Sequence, residues 1–71
     1  LKDVEFALLF REEEPNRVKI SFRGLNQRPV VELASQFGGG GHRFAAGARV
    51  TGPLPDVVAQ VVAACSKALD L

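Results

Sequence analysis

The chain has no methionine, tryptophan or tyrosine, and only one cysteine and one histidine. Each scarcity removes a class of function. A lone thiol, Cys65, forms no disulfide within the chain and builds no thiolate cluster, a pattern that suits a reducing cytoplasm. A lone imidazole, His42, assembles no histidine-based metal site, and no Cys/His nucleophile pair is indicated. No Asp-x-Asp or Asp-His-His run occurs, so the ligand set of a metal-dependent phosphoesterase centre is missing. No catalytic residue, metal or cofactor is expected within these residues. Apolar runs fall far short of the ~20 residues that span a bilayer, so no membrane partner is expected. No signal-peptide pattern is visible. The formal net charge of +1 is too small to mark a nucleic-acid binder by bulk charge. Any anion site must therefore come from local arrangement.

What is present reads as one domain, residues 1–71, cut from a longer protein, since the chain opens on Leu1. Hydrophobic residues make up 46%, which argues against disorder. A chain this short buries only ~60% of its unfolded surface, so modest stability is expected. Val4 to Arg11 reads as a strand: Val4, Phe6, Leu8 and Phe10 alternate onto one face, with Ala7 and Leu9 behind them. The apolar residues on both sides predict a strand covered on both faces. Glu12 to Asn16 reads as a polar turn. In Arg17 to Arg23 the side chains Val18, Ile20 and Phe22 point one way. Arg17, Lys19, Ser21 and Arg23 point the other, which predicts an antiparallel hairpin.

Pro29 suits the first turn of a helix whose apolar face is Val30, Leu33, Ala34 and Phe37, with Gly38 ending it. Phe44 to Val50 reads as a short strand. A last helix is predicted over Asp56 to Leu69, with a broad stripe of Val57, Val58, Val61, Val62, Cys65, Ala68 and Leu69. The order β-β-α-β-α predicts an α+β layer structure, with helices packed on a small mixed sheet.

Two stretches carry candidate chemistry. The run Gly38-Gly39-Gly40-Gly41-His42-Arg43 exceeds the single glycine that a helix cap needs. Four glycines suit a flexible turn. They also suit a place where backbone N–H groups and an imidazole and guanidinium meet an anion. The run closes a helix rather than opening one, and no Gly-Lys-Ser/Thr follows, so it is neither a dinucleotide fingerprint nor a P-loop. On the second strand, Ser21 and Arg23 share a face, either as solvated surface or as a phosphate-facing strip. Glu12, Glu13 and Glu14 read as solvent-exposed charge, and Cys65 as a small buried hydrophobe.

The run from Gly38 to Gly47, Gly-Gly-Gly-Gly-His-Arg-Phe-Ala-Ala-Gly, resembles the Gly-Gly-Gly-His-x-x-Ala-Ala-Gly signature of the DHH-associated domain, first type. Val18 to Arg23 resembles that family's Val-x-Val-Ser-x-Arg strand, in the right order and over nearly the whole chain. The resemblance implies the C-terminal substrate-binding domain of a DHH-family phosphoesterase. An N-terminal DHH catalytic domain would carry two metals, usually manganese. The family's substrates are nucleotides and short single-stranded nucleic acids, among them pAp, oligoribonucleotides and cyclic dinucleotides. The compact length is most similar to the nanoRNase and pAp-phosphatase branch, with RecJ-type exonucleases as relatives. By that resemblance Gly39, Gly40, Gly41 and His42 meet phosphate, Ser21 and Arg23 hold the nucleotide end, and Arg43 stands at a variable position. The alternative is a non-catalytic RNA-binding or dimerising module like the related domain of alanyl-tRNA synthetases; a homodimer remains open in either case.

Overall fold

Val18, Ile20 and Phe22 leave one side of a single strand, and each keeps at most 1% of its surface exposed. In the computed structural model, which describes residues 6–69 and only the backbone of Leu69, everything else packs around that row. The elements are β1 (Phe6–Glu14), β2 (Arg17–Gly24), α1 (Val31–Gln36), β3 (Gly40–His42), β4 (Ala45–Thr51) and α2 (Leu54–Leu69). The strands form one sheet in the order β1-β2-β4-β3. Val30, Leu33 and Ala34 close the core from around α1, and Val57, Val61 and Cys65 close it from α2; Ala48 joins from β4. Both helices thus cover the same face of the sheet, giving two layers. The expected α+β class holds.

The details differ from expectation in instructive ways. All three strand pairings are antiparallel, so the sheet is not mixed. The glycine run contributes an extra strand, β3, which makes the order β-β-α-β-β-α. Glycines carry no side-chain alternation, so this strand has no periodic signature. The acidic run Glu12 to Glu14 lies in β1, not in the turn, because pairing continues to Glu14 opposite Arg17, with a bulge between Glu12 and Glu14. The turn is Pro15 and Asn16 alone, and Asn16 takes the positive φ of 63° that asparagine tolerates.

α1 begins at Val31, two residues later than Pro29 predicts, with Val30 as its N-cap. Phe37, at its other end, stacks on Phe22 with centroids 6.3 Å apart. α2 starts at Leu54, two residues earlier than expected. Its buried stripe is narrow: Val57, Val61 and Cys65 are buried, while Val62 is 48% exposed and Ala68 is exposed. α2 rests on β1 and β2, and α1 on β3 and β4, so each helix covers half the sheet. Val4 and the Leu69 side chain lie outside the described residues.

The largest correction concerns the second face of β1. Leu9 is 66% exposed and Ala7 is exposed as well, so β1 is covered on one side only. Two helices suffice for one face and leave the other open. The two phenotypes should separate cleanly. Phe22→Ala should cost ~3–5 kcal/mol in equilibrium denaturation, enough to leave a domain this small mostly unfolded. Leu9→Ala should cost less than ~0.5 kcal/mol. Similar losses for the two variants would contradict a core confined to the helical side.

Candidate functional site

Side chains on a strand alternate, so burying Val18, Ile20 and Phe22 sends Lys19, Ser21 and Arg23 to the open face. The register carries this across the sheet in ranks. Ala7, Arg23, Ala45 and His42 form one rank; Leu9, Ser21, Gly47 and Gly40 form the next; Arg11, Lys19 and Arg49 form a third. Basic and hydroxyl side chains on β2 therefore face a floor of glycine and alanine on β3 and β4. Missing side chains there create a hollow of about 340 Å³, lined by Lys19, Ser21, Arg23, Gly40, Gly41 and Gly47 among others. The two stretches singled out in the sequence, some twenty residues apart, meet in this one hollow.

The glycines of the run do different jobs. Gly38 takes a φ of 80° and ends α1. Its N–H donates to the Ser35 carbonyl and that of Gly39 to the Ala34 carbonyl, so these two donors are spent on the helix end. A Cβ on Gly39 would run into the Gly47 carbonyl and stand 2.7 Å from the Ala48 Cα. Gly39 lines an adjoining hollow rather than the first. Gly41 has a φ of 144°, and a Cβ there would lie 2.8 Å from the Ala46 Cα. Gly40 is different: it has no positive φ, and a Cβ on it would meet nothing within 4 Å. Nothing among the described residues demands glycine at 40, and its missing side chain opens onto the hollow.

His42 is exposed at the end of the Arg23 rank, on the same face but outside the lining of the hollow. Arg43 leaves the site. It sits in the turn after β3, its guanidinium lies 5.4 Å from the Phe44 ring centroid, and its carbonyl accepts the Val30 N–H at 2.7 Å. That turn is tied again by the Gly24 N–H, which donates to the Phe44 carbonyl at 2.9 Å. Arg43 thus anchors the loop that aims the glycines.

Arg49 is the residue that the sequence reading missed. It lies on β4 two residues after Gly47, hence on the same face, and opposite Lys19. Its Nε donates to Glu13 Oε1 at 2.9 Å, and Arg11 reaches the other oxygen at 3.3 Å. The hydrogen bond from Arg49, with Arg11 adding to it, holds the Glu13 carboxyl below the usual carboxylate range. The same bond raises Arg49. Cys65 faces the core, and burial pushes its thiol above the ordinary range, away from nucleophilic use. Among the described residues no three His, Cys, Asp or Glu side chains gather as metal ligands. No helix among the described residues is long and apolar enough to cross a membrane.

This geometry separates stability from ligand approach within one glycine run. Gly39→Ala should lose ~1–3 kcal/mol of folding stability from the overpacked contact with β4. Gly40→Ala should fold with an unchanged thermal midpoint and weaken binding of a phosphate-bearing ligand. Parallel melting curves and titrations on the two variants check this, and a Gly40→Ala protein as unstable as Gly39→Ala would contradict it. The family model of the DHHA1 domain matches residues 1–70, so the chain belongs to the DHH-associated domain family of DHH-family phosphoesterases.

Proposed function

We propose that this chain is the substrate-gripping half of a metal-dependent phosphoesterase, and that it holds a phosphate of a nucleotide or short single-stranded nucleic acid on its open sheet face. The observation that carries this reading is the meeting of Ser21, Arg23, Gly40 and Gly41 around one hollow. A DHHA1 domain typically accompanies an N-terminal DHH catalytic domain. In this reading that domain would hold two manganese ions, whose chemistry would be activation of water and neutralisation of charge at the scissile phosphate. The family match favours this over a free-standing RNA-binding or dimerising module. The lone, buried thiol suits a cytoplasmic home for the parent protein.

The chain's own residues have separable tasks. Arg23 offers a planar fork of donors that matches phosphate geometry, and Ser21 adds a hydroxyl donor beside it. Gly40 and Gly47 leave the floor bare, so phosphate and sugar approach the backbone closely. His42, at the end of the Arg23 rank, donates to the phosphate undergoing attack, where negative charge grows in the transition state. Closure of the open face against the catalytic domain would exclude water and strengthen each of these contacts. The compact length supports a substrate of the nanoRNase or pAp-phosphatase kind.

Steady-state kinetics on the protein that joins this chain to its catalytic domain test the assignment. With manganese and a 5′-phosphorylated dinucleotide, Arg23→Ala should mainly raise KM, by ~10- to 150-fold, because it anchors ground and transition states alike. His42→Ala should lower kcat by ~30- to 1,000-fold at an unchanged melting temperature. A His42→Ala protein with a lowered melting temperature and wild-type kcat would refute the role given to His42.

A further inference from the structure

The first hollow does not end at Lys19. A second, of about 420 Å³, adjoins it and is lined by Lys19, Gly38, Gly39, Gly40, Gly47 and Arg49 among others. Lys19, Gly40 and Gly47 belong to both. The Lys19 stem lies across Gly47, with its Cε 3.3 Å from the point that a Gly47 Cβ would occupy. One cation therefore stands between two hollows, with Arg23 beyond one and Arg49 beyond the other. We propose that Lys19 and Arg49 form a second phosphate subsite, so that the domain grips a substrate carrying at least two phosphates. This rests on the reading of the first hollow as a phosphate site.

The chemistry and the layout agree. Arg23 and Lys19 are four residues apart on β2, ~13 Å along the strand, so the two subsites run along the sheet rather than stacking on one spot. The shared floor is two glycines, which leaves room for the sugar that links one phosphate to the next. Lys19 is a compact point charge that serves either phosphate, while Arg49 presents a directional fork to the second alone. Glu13 occupies part of that fork in the absence of ligand: its Oε1 accepts from Arg49 Nε at 2.9 Å. Glu13 thus competes with the second phosphate. It holds Arg49 in place over the sheet, and weakens the site for ligands that carry too little charge to displace it.

Titration of the 71-residue chain with three probes tests this: AMP with one phosphate, pAp with two on one sugar, and a 5′-phosphorylated diadenylate. Backbone amide shifts report position, and calorimetry reports affinity. The two-phosphate probes should bind roughly tenfold tighter than AMP, shift Lys19, Gly39 and Arg49 as well as Ser21, Arg23 and Gly40, and show a steeper salt dependence by on the order of −0.7 in slope. An advantage for both pAp and the diadenylate means that any second phosphate serves. An advantage for the diadenylate alone means that the subsite takes the phosphodiester of the next nucleotide. Arg49→Gln should abolish the advantage and leave AMP affinity within about twofold. Glu13→Gln should tighten the two-phosphate probes by about two- to threefold, whereas a purely structural Glu13–Arg49 pair would leave them unchanged or weaker. Equal affinity for all three probes, with shifts at Ser21, Arg23 and Gly40 only, overturns the second subsite and leaves the first standing. No shift at Ser21, Arg23 or Gly40 with any probe overturns the phosphate site itself and this inference with it.

Discussion

Burial of Val18, Ile20 and Phe22 on one side of β2 is the constraint on which the rest depends. β2 is central, paired to β1 on one edge and β4 on the other. Fully burying three such side chains is worth ~1.5–3 kcal/mol each, a large share of what holds so small a domain together. Because strand side chains alternate with a period of two, the same burial commits Lys19, Ser21 and Arg23 to the opposite face. A one-residue slip would exchange the core for the site. The core and the candidate binding surface are therefore two consequences of one register.

The thin floor of the sheet follows from a second requirement. Ala45 and Gly47 on β4 and Gly40 on β3 lie on the open face, and Ala46, Ala48 and Gly41 alternate with them. Small residues on the core side let α1, only six residues long, pack close to β4. Small residues on the open side leave the hollow. Gly39 and Gly41 answer to packing and backbone shape, while Gly40 answers to nothing among the described residues. That contrast is the strongest structural argument that the run is more than a flexible connection.

Periodicity made the hairpin, both helices and the α+β class legible, since Arg17 to Arg23 alternates cleanly and Val57, Val61 and Cys65 recur at helical spacing. It failed where side chains carry no pattern or where partners are distant in sequence. Gly40–His42 forms an edge strand whose pairing comes from β4, not from its own residues. Glu12 to Glu14 resembled a turn because the polar run leads into Pro15 and Asn16, yet Arg17 on β2 and Arg49 on β4 supply opposing charge across the sheet, and Arg11 supplies it along β1. Ala7 and Leu9 resembled a buried face because composition does not reveal on which side the helices settle. Of the residues around the first hollow, Ser21, Arg23, Gly40 and Gly41 stand out in the sequence by their motifs. Arg49 was not, because its place opposite Lys19 depends on the β2–β4 register. Arg43 shows the reverse: adjacent to His42 in sequence, it points its charge at Phe44 instead of the hollow.

The account makes the open sheet face the business side of the domain and the helical face purely structural. The most direct test is a crystal structure of the chain with a bound 5′-phosphorylated nucleotide. The account predicts a phosphate oxygen within ~2.7–3.0 Å of the Ser21 hydroxyl and of the Arg23 guanidinium, with the phosphate resting over Gly40. A nucleotide bound instead against α1 or α2, with Ser21 and Arg23 unengaged, would contradict it.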